Sequence, residues 1–113
     1  MHELGIVIQI ARQMETYMTE QKLTKIDTIV LQVGALSSIY PKYLEDVYPI
    51  AVENTRLKET KLEIEISPGI GKCDDCGFIY NLIENENHCP LCKSDHFNVV
   101  SGTEFLIKQI IAY

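Results

Sequence analysis

The chain has 113 residues, 46% of them hydrophobic, with 10 Lys and Arg against 16 Asp and Glu and a formal net charge of −6. That length sustains one modest core but not two independent ones, and an acidic chain without a Lys/Arg-rich run lacks the electrostatic footprint of a nucleic-acid binder. No stretch approaches the roughly 20 apolar residues that span a bilayer, and no basic segment leads into an apolar one at the start, so a soluble, cytoplasmic protein with no membrane contact is expected.

The chain opens on "MHELGIVIQIA". Over residues 4–21, Val7, Ile10, Ala11, Met14, Met18 and Gln21 recur near helical spacing, with Arg12, Gln13, Glu15, Thr19 and Glu20 on the other side; this predicts an amphipathic helix. "IDTIVLQVG" follows, a β-branched run with Ile29, Leu31 and Val33 on one face, and predicts a buried strand ending at Gly34. After "ALSSIY", Pro41 suits a first helical position and Leu44, Val47, Tyr48 and Ala51 continue at i, i+3, i+4 and i+7, so a second helix is expected to about Thr55. Pro49 removes a backbone donor inside it, at a cost of about 3 kcal/mol in a regular helix, and predicts a kink or an early end.

"KLEIEIS" alternates Leu62, Ile64 and Ile66 with Glu63, Glu65 and Ser67, which predicts a strand with one dry and one wet face, broken by Pro68, Gly69 and Gly71. The closing "TEFLIKQIIAY" alternates too and reads as a last strand, buried on much of both faces. The expected fold class is α+β: a small sheet of about three strands flanked by two helices, with an inserted four-cysteine module like a zinc ribbon. Residues 1–70 plus 100–113 form one domain and residues 71–99 the module. Strands from both sides of the insert must share one sheet, since neither part has the apolar area to stand alone. Pro68, Gly69, Gly71 and Gly102 are expected to hinge the module.

The insert reads "KCDDCGFIYNLIENENHCPLCKS", with Cys73 and Cys76 in one CxxC, Cys89 and Cys92 in a second, and twelve residues between. Two residues between cysteines let both sulfurs of a tight turn reach one ion at about 2.3 Å, and two such turns make a tetrahedral four-sulfur site. Gly77 permits the positive φ such a turn needs, and Pro90 stiffens the second pair. A reducing compartment disfavours two disulfides. Zinc suits a closed sulfur tetrahedron, and iron is also chemically compatible with four thiolates. Closed coordination leaves no place for water, so hydrolytic chemistry is not expected. Lys72 and Lys93 face Asp74, Asp75, Glu84, Glu86 and Asp95, a balance that repels phosphate. His88 and His96 read as solvated loop histidines; the sharper alternative is imidazole exchange at the metal near neutral pH. No Ser/His/Asp set, phosphate-cradling loop or paired-carboxylate cleft is present, so no catalytic residues and no enzyme are expected.

At the amino terminus the bulk of His2 should keep Met1 in place. The Met1 α-amine, the His2 amide and the His2 imidazole can close adjacent chelate rings, with the Glu3 amide or an outside donor in a fourth position. Nickel(II) accepts such a square plane of nitrogens, whereas zinc prefers a tetrahedron. The ordinary reading is a helix start at which Glu3 favours the positive end.

The "MHE" start before an amphipathic helix, "VGALSSIYP" after the first strand, the "LEIEI" strand and the CxxC-x12-CxxC insert, in this order, resemble the HypA/HybF family of hydrogenase-maturation nickel metallochaperones. The resemblance implies a non-enzymatic carrier that takes Ni(II) as transferable cargo at Met1, His2 and Glu3, the first and third through backbone nitrogen. It implies structural Zn(II) on Cys73, Cys76, Cys89 and Cys92, delivery to the large-subunit precursor of a nickel–iron hydrogenase, and the GTPase HypB as a partner, with monomer or homodimer left open. Two positions depart from the pattern: Pro49 interrupts a stretch that relatives keep helical, and Tyr40 stands where some relatives carry a carboxylate able to assist nickel. The alternative from a different class is a structural zinc-ribbon adaptor, indifferent to nickel and to changes at His2.

Overall fold

A computed structural model describes residues 2–113, the side chain of His2 excepted. In chain order they form α1 (His2–Glu20), β1 (Ile26–Gly34), α2 (Pro41–Val52), β2 (Lys61–Ser67), β3 (Ile70–Cys73), β4 (Ile79–Asn81), β5 (Phe97–Ser101) and β6 (Phe105–Ala112). The architecture is the expected α+β one, with a three-stranded sheet in the order β2-β1-β6 that draws its outer strands from both sides of the insert. The insert carries a second sheet, β4-β3-β5, whose strands are too short to have an alternation of their own.

Local chemistry sets the ends of the helices. α1 stops where Lys22 takes a left-handed φ of 54° and the Leu23 N–H turns back to the Met18 carbonyl at 2.8 Å, the bond of a Schellman-type helix end. α2 starts at Pro41 after an extended Tyr40. It continues past Pro49 to Val52 and stops short of Thr55, whose hydroxyl donates to the Val52 carbonyl at 2.8 Å. Pro49 is tolerated because it stands on the exposed side of the helix, so the Glu45 carbonyl that loses its i+4 donor is not sealed in the core.

The chain divides into two compact units, Met1–Leu31 with Ser38–Glu65 and Leu106–Tyr113, and Gln32–Ser37 with Ile66–Phe105. In unit 1, α1 buries Val7, Ile10, Ala11, Met14 and Met18, and α2 buries Leu44, Val47, Tyr48 and Val52, in a core with Ile29, Leu31 and Leu57. Each fully buried Leu or Ile contributes about 1.5–3 kcal/mol relative to exposure. At the start of both strands the Thr60 hydroxyl donates to the Ile26 carbonyl at 2.6 Å, and at their ends the Ala35 N–H reaches Ser67 O at 2.8 Å. β2 therefore runs parallel to β1, with α2 as the crossover. The Arg56 guanidinium, bonded to the Leu23 carbonyl and the Thr19 hydroxyl, ties the turn after α2 to the end of α1.

Three expectations need correction. Gln21 is exposed, so the apolar stripe of α1 ends at Met18. No residue of β6 is fully buried, and Ile66 on the supposedly dry face of β2 is 53% exposed. Both strands are outer strands of their sheet, so alternation there reports a half-covered surface instead of a sealed one.

Unit 2 has a much smaller core of Cys73, Tyr80, Leu82 and Cys89, packed by Leu36 and Phe97. Pro68, Gly69, Gly71 and Gly102, the expected hinge, all lie inside this unit. Gly102, at φ 107°, sits so close to Gly69 that an added Cβ would meet its Cα at 2.6 Å. The Glu104 carboxylate accepts the Ser67 hydroxyl and the Gly102 N–H at 2.9 Å; these bonds hold it below the usual carboxylate range.

Candidate metal centre

The four cysteines occupy two turns of the same design. In the first, Cys73 ends β3, its N–H donates to Phe78 O at 2.8 Å, and the Gly77 N–H returns to Cys73 O at 2.9 Å. In the second, the Cys89 N–H donates to Ser94 O and the Lys93 N–H returns to Cys89 O, both at 2.8 Å. The residue four beyond the leading cysteine is left-handed in each, Gly77 at φ 79° and Lys93 at φ 68°. Gly77 announced this conformation in the sequence. Lys93 did not, since a lysine there bears the Cβ cost that glycine avoids.

Neighbouring groups lock the turns together. The Asp74 N–H donates to His96 O at 2.9 Å, the Ser94 hydroxyl donates to the Asp75 carboxylate, and Asn98 Nδ2 donates to Asp74 Oδ1 at 2.6 Å. The first turn rests on antiparallel β3–β4 pairing, Gly71 opposite Tyr80 and Lys72 opposite Ile79.

This framework brings all four Sγ atoms within 4.8 Å of one another. Cys73 Sγ lies 3.6 Å from Cys92 Sγ, and Cys76 Sγ 3.6 Å from Cys89 Sγ. A tetrahedron with metal–sulfur bonds of about 2.3 Å has edges of about 3.8 Å, so the spacing fits one tetrahedral ion, and the group could hold one. Cys73 and Cys89 are buried, Cys76 and Cys92 exposed.

The electrostatics follow the same division. Burial opposes ionisation of Cys73, but N–H groups of Cys76 and Asp75 and the neighbouring thiols outweigh it and draw its thiol down to about 7. Cys89 is lowered likewise: burial opposes, and N–H groups of Cys92 and Leu91 win. At Cys76 an N–H from Phe78 favours the thiolate, yet burial and the adjacent sulfurs push the thiol up to about 12. Cys92 is also raised, against its N–H bond from Ser94. Two sulfurs shed protons readily, and their negative charge holds the protons on the other two until a cation arrives.

Sequence reasoning missed Tyr80. Its hydroxyl is buried without a hydrogen-bond partner among the described residues, and burial followed by the cysteine charges raises its pKa. Its position opposite Gly71 became visible only with the strand register.

The remaining candidates are more dispersed. His88 is exposed with Nδ1 2.8 Å from Glu86 O, and His96 is exposed with Nδ1 3.4 Å from Asp75 and Nε2 3.6 Å from Asp95; neither joins the sulfur group. Met1 and the imidazole of His2 lie outside the described residues. Glu3 is buried, 6% exposed. Tyr40 is 65% exposed and stacks at a tilt on Tyr43, ring centroids 5.4 Å apart. No described helix is long and apolar enough to cross a membrane.

Comparisons with known proteins cover nearly all of this architecture. The family model described as HypA, hydrogenase/urease nickel incorporation, metallochaperone, matches residues 1–112. The hydrogenase maturation factor HypA of a Nostoc species is 36% identical over 110 residues, 97% of this chain and 94% of that protein. The factor of the same name from Chlorobium limicola is 31% identical over 110 residues, 97% of this chain and 95% of that protein. Among solved structures, the solution structure of a HypA protein superposes with a TM-score of 0.71 at 20% identity, covering 100% of this chain and 97% of the other. The nickel metallochaperone HypA from Helicobacter pylori gives 0.65 at 18% identity, covering 97% and 96%.

Proposed function

Because this chain belongs to the HypA family of nickel-incorporation metallochaperones, a family of maturation factors and not enzymes, we propose that it binds Ni(II) at its amino terminus and hands the ion to the large-subunit precursor of a nickel–iron hydrogenase. Nickel is cargo in this reading. Its donors are the Met1 α-amine, the His2 amide and imidazole, and the Glu3 amide nitrogen. HypB and the large-subunit precursor are the proposed partners, and residues 1–70 with 100–113 are the nickel-handling part.

The observation that carries the reading is where α1 begins. Its first residue is His2, so the N–H groups of His2 and Glu3 belong to the first turn and have no helical acceptor. A metal can take those nitrogens in place of their protons without breaking a helical hydrogen bond. A chelate at a chain end, with an incomplete protein shell, also suits an ion that must be released.

For residues 71–99 we infer structural Zn(II) on Cys73, Cys76, Cys89 and Cys92. Four thiolates from two CxxC turns, all within 4.8 Å of one another, are the closed donor set that a structural zinc ion takes. When bound, the ion supplies a cross-link between the two cysteine turns and balances thiolate charge; the chain's own N–H groups orient the sulfurs.

The test is a Ni(II) titration, followed by calorimetry and visible absorption, of zinc-loaded protein with an untagged terminus, beside His2→Gln, whose bulk also keeps Met1. One nickel per chain with a weak square-planar band, lost in the variant, is expected. Nickel binding that survives the substitution unchanged overturns the assignment.

A further inference from the structure

The four sulfurs fall into two kinds. Cys76 and Cys92 are exposed, Cys73 and Cys89 buried. The two sulfur contacts of 3.6 Å both run between the turns, and each joins an exposed sulfur to a buried one, Cys92 to Cys73 and Cys76 to Cys89. An accessible sulfur poised beside a second one that can resolve it is the arrangement of a redox-sensing thiol pair. Here it occurs twice in one site.

The surrounding hydrogen bonds keep these partners facing each other. The Asp74 N–H on His96 O, the Ser94 hydroxyl on the Asp75 carboxylate and Asn98 Nδ2 on Asp74 Oδ1 all tie the first turn to the segment that follows the second. None of these bonds uses a sulfur, so none is lost when a sulfur is oxidised. A disulfide has an S–S length of about 2.05 Å, which leaves each crosswise pair about 1.5 Å to close. Closure within a CxxC is the competing product, and it leaves the two turns without the link that an ion provides. Crosswise closure replaces that link.

We propose that an oxidant of the peroxide class converts the four-sulfur group into two nested disulfides, Cys73 with Cys92 and Cys76 with Cys89, and expels the ion, so that residues 71–99 switch between a metal cross-link and a covalent one. The inference rests on the reading of these residues as a zinc module, and His2→Gln is expected to leave it unchanged. An exposed thiolate, Cys76 or Cys92, attacks a peroxide oxygen; an S–O bond forms, the O–O bond breaks, and the departing hydroxide takes a proton from solvent and leaves as water. The buried partner thiolate then attacks the sulfenic sulfur; the S–S bond forms, the S–O bond breaks, and the second hydroxide is protonated to water. Over both pairs four thiolates give up four electrons, two peroxides and four protons become four waters, and the divalent ion loses all its sulfur ligands. The first bridge forms while the other two sulfurs still hold the ion, so the turns keep a cross-link throughout. A thiol reductant reverses the change by disulfide exchange and lets the metal return.

The test uses the full chain, reduced and loaded with zinc, its metal content measured before oxidant is added. Two equivalents of hydrogen peroxide are expected to release the zinc to a chromogenic chelator and to leave a chain lighter by four hydrogens than the reduced one. Cleavage by a glutamyl endopeptidase at Glu84 and Glu86, exposed between the two pairs, should then leave the two cysteine-bearing peptides joined until reductant is added, with tandem mass spectrometry assigning the partners. In amide NMR the oxidised, zinc-free chain should keep the dispersion of residues 70–101 that a chelator alone abolishes, and reductant with added zinc should restore the starting spectrum. Peptides that separate on cleavage, bridges from Cys73 to Cys89, sulfinic or sulfonic products, bridges between chains, or a collapse of signals equal to that caused by the chelator each overturn the proposal. A reduced chain that takes up no zinc overturns the zinc reading beneath it, whereas zinc that stays bound through a large excess of peroxide overturns the switch alone.

Discussion

Unit 1 keeps Ile29, Leu31, Leu44 and Leu57 at 0% exposure, a core made wholly of side chains whose burial needs nothing from outside the chain. In unit 2, two of the four buried cluster members, Cys73 and Cys89, are also members of the four-sulfur group, and around them Ile79, Ile83, Leu91 and Val100 stay more than half exposed. The contrast sets two routes to order side by side in one short chain: one part is ordered by hydrophobic burial, and for the other the proposed metal on the four sulfurs would supply a cross-link in its place.

The largest effect should come from breaking that asymmetry at the metal. Structural zinc contributes roughly 10–16 kcal/mol in zinc-finger peptides near neutral pH, more than the small unit 2 core can replace. Withdrawal of the metal by a strong chelator, or Cys89→Ser, is expected to collapse the amide NMR signals of residues 70–101 toward random-coil positions while those of α1 and α2 keep their dispersion. If both sets of signals collapse together, or neither does, the two routes are not separate. Acid acts in the same direction, because all four sulfurs must lose their protons to bind a cation.

Unit 1 was the more legible part, for the same reason. Its helices repeat apolar residues over several turns, so Val7 to Met18 and Leu44 to Tyr48 could be assigned to a core from spacing alone. In unit 2 the two CxxC pairs announced a four-sulfur site, yet β3, β4 and β5 were invisible: strands of 4, 3 and 5 residues are too short to show a period. Their order follows from the knuckle turns and from the β3–β5 register, shifted between Ile70 and Gly71. The same shortness hid Tyr80 and the left-handed Lys93. At the amino terminus a motif of three residues has no periodicity at all, so only chemistry and resemblance could speak for it.

A smaller effect probes unit 2 without touching the sulfurs. Gly102→Ala puts a Cβ on a residue at φ 107°, against the Gly69 backbone at 2.6 Å, where neither side can yield by turning a rotamer. A cost of about 1–3 kcal/mol is expected, read as a lower urea midpoint for amides of unit 2. An unchanged midpoint would mean that the backbone around Gly102 and Gly69 relaxes freely, which would return these glycines to the hinge role their sequence suggested.

The smallest effect, and the one that compares the units most directly, is the removal of one oxygen from each. Tyr48 in unit 1 and Tyr80 in unit 2 are both buried, 8% and 5% exposed. The Tyr48 hydroxyl donates to Thr60 O at 2.9 Å, so Tyr48→Phe should cost about 1 kcal/mol. The Tyr80 hydroxyl has no partner among the described residues, so Tyr80→Phe should be neutral or stabilise by up to about 1 kcal/mol, since it removes a buried group whose hydration was lost without replacement. Alkaline titration adds a sign. Burial raises Tyr48 from 10.0 to about 12, so the folded state favours the neutral phenol; this contribution is fully present below pH 10 and is lost as pH rises toward 12. Tyr48→Phe should therefore flatten the stability loss over that interval in the metal-loaded protein. Equal costs for the two substitutions would show that Tyr80 is hydrogen-bonded after all.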